Sequence, residues 1–269
     1  MSALEEWRRW LGAWAIPDEI LAGAPESPWG FVAEPFIHRA EHAGDSPPSI
    51  SARRALEALP PEGTVLDVGS GAGAASLALA PPAGRVTAVD PSQEMLAELR
   101  RLATDRGVAT ETIAGAWPDV ASRTEPADVV VCHHVLYNVP ELEPFVRALA
   151  AKADRRVVLE LTGQHPTAWM SDLWMRFHGL RRPDRPTADD AEEAIRELGI
   201  DVLREEGTVA VGGFALREDE VAFIRKRLCL RPDQDDDLIE ALGDRLQQRE
   251  GLWNAHPRER AVVTLWWDT

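Results

Sequence analysis

The stretch Val65-Leu66-Asp67-Val68-Gly69-Ser70-Gly71-Ala72-Gly73 constrains this chain more than any other. A short apolar run reads as a strand, glycines at alternate positions as a tight turn, and residues 72–80 as a helix. Glycine lets a ligand approach bare backbone. Unsatisfied N–H groups at a helix start can receive a carboxylate or a phosphate. The alternation recurs downstream. Residues 85–89, 110–114, 127–132, 156–161, 200–205 and 261–267 read as strands, and 92–104, 142–152, 188–198, 218–229 and 235–250 as helices. This pattern predicts an α/β fold, Rossmann-like and doubly wound, with a mostly parallel sheet. In such sheets ligands sit beyond the carboxyl ends of the strands.

Helical periodicity at 3–14, 31–43 and 49–59 precedes the first strand. We divide the chain into an N-terminal helical lid segment, 1–48, and a ligand-binding domain, 49–269, with helical insertions at about 164–186 and 214–250. The 269 residues carry a net charge of -16, which disfavours nucleic acid and anionic membrane as partners. Cys132 and Cys229 lie far apart, without metal-type spacing, so no disulfide framework and a cytoplasmic location are expected. No run is long and apolar enough for a transmembrane helix, and the first residues lack the apolar stretch of a signal peptide.

Two carboxylates narrow the ligand. Asp90 ends the second predicted strand, beside the glycine turn, where a carboxylate can accept ribose hydroxyls or cap the next helix. Asp67 interrupts an apolar strand, which is costly unless it accepts hydrogen bonds. Gly69-x-Gly71-x-x-Ala74 formally fits a dinucleotide fingerprint, but Asp67 argues for S-adenosylmethionine instead.

The stretch 65–73, together with Ala88-Val89-Asp90-Pro91-Ser92-Gln93-Glu94-Met95-Leu96 and Ala127-Asp128-Val129-Val130-Val131-Cys132-His133-His134-Val135-Leu136, resembles the motifs of class I S-adenosylmethionine-dependent methyltransferases. The resemblance covers about residues 50–165. It implies a seven-stranded sheet with an antiparallel last strand, S-adenosyl-L-methionine as cofactor and S-adenosylhomocysteine as product. It places Gly69, Ser70, Gly71 and Gly73 at the methionine part, with Asp67 organising the loop. Asp90 would hold the ribose, and Pro91 and Met95 would lie against the adenine. Ala116 stands where many members carry an Asp, and Trp117 is the candidate to stack on the purine instead.

His133, His134 and Tyr137 follow the fourth strand and are the candidate catalytic groups, His133 also facing the cofactor. Trp29, Phe31, Phe36, His38, Trp169 and Trp174 are the candidate substrate contacts from the two aromatic-rich additions, and Arg181 and Arg182 could meet an acidic substrate. His38-Arg39-Ala40-Glu41-His42 fits a zinc-peptidase pattern but reads better as a lid helix, and no metal is expected. The reading is methyl transfer to an O, N or C nucleophile of a small molecule. Its rivals are an NAD-dependent oxidoreductase and a non-catalytic partner protein of the same fold.

Overall fold

The computed structural model describes residues 1–29, 34–45, 47–257 and 259–269. Four helices come first: α1 (Ala3–Gly12), α2 (Asp18–Gly23), α3 (Glu34–Glu41) and α4 (Ile50–Ala58). The alternating core follows, with β1 (Gly63–Val68), α5 (Ala74–Leu77), β2 (Ala83–Asp90), α6 (Gln93–Asp105), β3 (Ala109–Ala114), β4 (Ala127–His133), α7 (Leu142–Ala150) and β5 (Ala153–Thr162). Then come α8 (Ser171–His178), α9 (Ala188–Glu197), β6 (Leu203–Ala210), α10 (Arg217–Arg227), α11 (Asp235–Leu242), β7 (Gln247–Arg249), β8 (Leu252–Asn254) and β9 (Glu259–Asp268).

The large sheet has seven strands in the order β3-β2-β1-β4-β5-β9-β6. Strands β1 to β5 pair in parallel, and β9 runs antiparallel between β5 and β6. The expected doubly wound sheet with an antiparallel last strand is therefore present. The order reverses at β1, whose neighbours are β2 and β4. That is the switch point at which ligands bind in such sheets.

Each face of the sheet is closed by helices. Val65, Val86, Ala88, Val129, Val131, Val158 and Trp266 point to one face and pack with α4, α5 and α6. Leu66, Val68, Val130, Leu159 and Leu265 point to the other and pack with α7 and α9. The alternation follows from the two-residue period of strands. A satellite core joins α8, α10 and α11 with Ile16.

The N-terminal segment packs into the body of the fold. Trp7 of α1 is fully buried in the main core, and its indole N–H donates to the Val139 carbonyl at 2.8 Å. Trp14 stacks on His165 with centroids 3.7 Å apart, and Arg182 is sandwiched between Trp14 and Trp174. Arg182 is thus a staple between segments rather than a group presented to substrate. Two elements depart from the periodicity. The helix after the glycine turn is a single turn, Ala74–Leu77. The helix from Asp235 stops at Leu242, where Gly243 takes φ +51°, and a short β7–β8 hairpin occupies part of the remaining predicted span. Apolar spacing alone does not register such a chain reversal.

Candidate functional site

The site forms where β1, β2, β4 and β5 end. The turn after β1 spends its donors internally. Gly69 and Ser70 donate to the Val89 carbonyl at 2.8 and 3.1 Å, Gly73 donates to the Ser70 carbonyl at 2.8 Å, and Gly71 donates to Asp90 Oδ2 at 2.9 Å. The expected array of free N–H groups is therefore absent at these four positions. The turn offers bare surface instead. Gly71 takes φ +51°, and a Cβ built on it would meet nothing within 4 Å. A Cβ on Gly69, at φ +71°, would overlap Val135 Cγ2, so the turn is seated directly against the segment after β4.

Asp90 binds the turn through Oδ2, and its Oδ1 accepts the Ser92 N–H at 2.8 Å, just ahead of α6, whose N-cap is Ser92 rather than Asp90. The capping role considered for Asp90 falls to Ser92, and the remaining lone pairs of the carboxylate stay available for further donors. Asp67 is fully buried. Its Oδ2 accepts the Ser76 N–H at 3.3 Å, while Oδ1 and the Ser76 hydroxyl have no hydrogen-bond partner. Burial, reinforced by Asp90, pushes the Asp67 carboxyl up to about 6.

His133 and Glu160 are register partners on β4 and β5. His133 Nε2 is buried without a hydrogen-bond partner, and burial lowers this histidine to about 4, against the pull of Glu160. His134 takes φ +60°, uncommon for a residue with a side chain. Its Nε2 lies 3.1 Å from Glu160 Oε1, and its backbone N–H donates to the Glu160 carbonyl at 2.6 Å. Ser51 of α4 donates its hydroxyl to Glu160 Oε2 at 2.6 Å. Burial alone would raise Glu160. The hydrogen bond and charge of His134, the charge of His133 and the Ser51 hydroxyl outweigh it and hold the carboxyl well below its ordinary range.

Glu160 and Ser51 were not anticipated from the sequence. Glu160 interrupts Val157-Val158-Leu159 and Leu161 as Asp67 interrupts its own strand, so the same signal was present.

Other expected residues sit elsewhere. The Tyr137 hydroxyl is buried and donates to the Thr162 carbonyl at 2.8 Å, and burial pushes the phenol up, so it is tied into the core. The Trp117 indole packs in the core and donates to the Phe145 carbonyl at 3.3 Å. Ala116 is exposed beside it. Met95 is buried among Leu96 and Leu99, so of that pair only Pro91 presents surface. Trp174 belongs to the satellite core, whereas Trp169 is half-buried against His256. Trp29 and Phe36 are exposed, and Phe31 lies outside the described residues. The His38 ring lies tilted against that of His42, just past the end of α3, and His42 also contacts the His38 carbonyl. Cys132 is fully buried, and burial pushes its thiol well up, as suits packing rather than nucleophilic attack.

Residues 65–154 match the family model for a methyltransferase domain. This third of the chain is thus similar to methyltransferase domains. Ubiquinone biosynthesis O-methyltransferase of Aeromonas salmonicida is 30% identical to it over 109 residues, 39% of this chain and 46% of the relative. The corresponding protein of Hydrogenovibrio crunogenus is 37% identical over 92 residues, 34% of this chain and 37% of the relative. The chain thus spans about half the length of the curated relatives it matches, or less. The YcgJ protein of Bacillus subtilis shares the fold with a TM-score of 0.54 at 16% identity, covering 81% of this chain and 97% of that one. Magnesium protoporphyrin IX methyltransferase of Synechocystis, solved with bound S-adenosylhomocysteine, gives 0.50 at 16% identity, covering 97% and 93%. The matched region spans the glycine turn, Asp90, His133 and His134, and stops short of Glu160.

Proposed function

We propose that the chain is an S-adenosylmethionine-dependent methyltransferase acting on a small molecule. The observation that carries this is the uncovered face of Gly71 beside Asp67 and Asp90. A buried Oδ1 and a buried His133 Nε2, both without partners, fit a site built for a polar, cationic ligand. When bound, the cofactor supplies a methyl group already activated on a sulfonium. Gly69, Ser70 and Gly71 would hold its methionine part and Asp90 its ribose hydroxyls, with Asp67 shaping the turn.

This chain's own contribution to the transfer is alignment and proton removal. With the Nε2 proton assigned to the bond with Glu160, His134 keeps Nδ1 as its basic nitrogen, and His134 is the candidate base. The named activity of the sequence relatives favours an oxygen nucleophile over nitrogen or carbon. A cytoplasmic setting is supported by the two separate free cysteines, and among the described residues no helix is long and apolar enough to cross a membrane.

Titration calorimetry with S-adenosylhomocysteine and with NAD tests the cofactor. Binding of the first and not the second is expected, and the reverse refutes the reading. Mass-spectrometric screening of acceptors for the gain of one methyl group tests turnover and separates an enzyme from a non-catalytic relative.

A further inference from the structure

A recess lies at the carboxyl end of β5. The segment after β5 carries Trp169, and residues just before β9 carry His256, both at the carboxyl end of β5 because β9 runs antiparallel to it. The two rings are 4.0 Å apart at 40° and wall a cavity of about 450 Å³, together with Arg249, Ala255 and Pro257. This is within the size range of small-ligand sites.

The charges around this wall are unbalanced in an unusual sense for a chain of net charge -16. Arg260 is partly buried, and its Nη2 lies 3.0 Å from His256 Nδ1. Among the described residues neither Arg260 nor Arg249 pairs with a carboxylate. Arg249 donates to the His256 carbonyl at 3.3 Å and the Gln247 side-chain oxygen at 3.4 Å. Arg245, on the same rim, is neutralised by Asp172 at 2.9 Å, and Asp244 is exposed there. Burial, reinforced by Arg260, lowers His256 to about 3, so at neutral pH it supplies an uncharged surface. The charged neighbour felt by Arg260 is another cation, Arg39 of α3, which also acts on His133. A partly buried cation beside a second cation is costly without a counter-charge.

We propose that this cavity is the acceptor pocket and takes a planar molecule bearing a carboxylate. Its ring lies along Trp169, and its acid group is drawn to Arg249 in the lining, while Arg260, behind it in contact with His256, adds positive charge. This rests on the methyltransferase reading, since it names the class of acceptor.

Benzoate and its neutral isostere benzamide are the probes, observed by saturation-transfer NMR on the full chain with and without S-adenosylhomocysteine. Benzoate is expected to bind roughly tenfold more tightly than benzamide, because charge-assisted bonds to guanidinium are the stronger kind. R249Q and R260Q should each abolish most of that preference while leaving S-adenosylhomocysteine affinity unchanged. Equal binding of the two probes, binding of neither, or a preference that survives both substitutions overturns the proposal. Should R260Q fail to fold, the wild-type comparison and R249Q, at the rim, still decide. Failure to bind S-adenosylhomocysteine refutes the cofactor reading separately, because the probe comparison is also made without it.

Discussion

Replacing Asp67 by Asn should stabilise the ligand-free protein while weakening cofactor binding. The Asp67 carboxyl rises from 3.8 to about 6 on folding, chiefly through burial. A group whose folded value lies above its unfolded value favours folding when protonated, and that advantage is lost as pH rises through the folded value. Above pH 6 the ionised carboxylate therefore costs about 3 kcal/mol, from a shift of roughly two units at about 1.4 kcal/mol each. Asn removes the charge and retains the geometry. Its oxygen can accept the Ser76 N–H, and its amide can donate to the Ser76 hydroxyl, which now lacks a partner. Imperfect fit reduces the gain, leaving about 1–3 kcal/mol at pH 8 and about half of that at pH 5. Urea denaturation of both proteins across this range measures it. Calorimetry with S-adenosylhomocysteine should show weaker binding to D67N. A variant no more stable than wild type at pH 8, or an advantage that does not shrink toward pH 5, refutes the reasoning.

Three further outcomes are expected. Gly69→Ala, which sets a Cβ into Val135 at positive φ, should lower the melting temperature sharply, whereas Gly71→Ala should cost only about 1–2 kcal/mol yet lose most S-adenosylhomocysteine binding. Ser51→Ala should cost about 1–3 kcal/mol by removing a donor from a buried carboxylate. Because Glu160 is held below its ordinary range, that contribution is present above its unfolded value and fades as pH falls, so wild type and S51A should converge in acid denaturation curves. Burial, with Arg182 nearby, lowers His165 to about 3, so wild type loses stability as pH falls below its ordinary value of 6.5. His165→Phe keeps the Trp14 stack and should remove about 2 kcal/mol of the loss between pH 7 and pH 5, read by urea denaturation.

The sheet and the turn were legible because they rest on local rules. Strand and helix periods differ, and Ser92 marks the start of α6 by accepting the Met95 N–H in its side chain. Asp67 was found because a lone acid in an apolar strand is expensive. Glu160 carries the same mark, but its meaning depends on His134 and Ser51, which come from a loop and a distant helix. Aromatic residues were the least legible. Trp117 and Tyr137 fulfil their hydrogen bonds inside the core, and no pattern of neighbours distinguishes that from a ring waiting for a purine or a substrate. Trp7 illustrates the same limit, since its burial depends on α7 and α9, far along the chain.

The position of β9 bears on how the protein is made. Residues 259–268 fill the place between β5 and β6, bonding to both. A nascent chain that has emerged only as far as residue 250 therefore holds β5 with an open edge, and β6 with no sheet to join. The glycine turn, by contrast, depends on partners that have all emerged by residue 162. During synthesis the cofactor end can take shape first, while the open edge of β5 is exposed to mispairing until the final strand arrives.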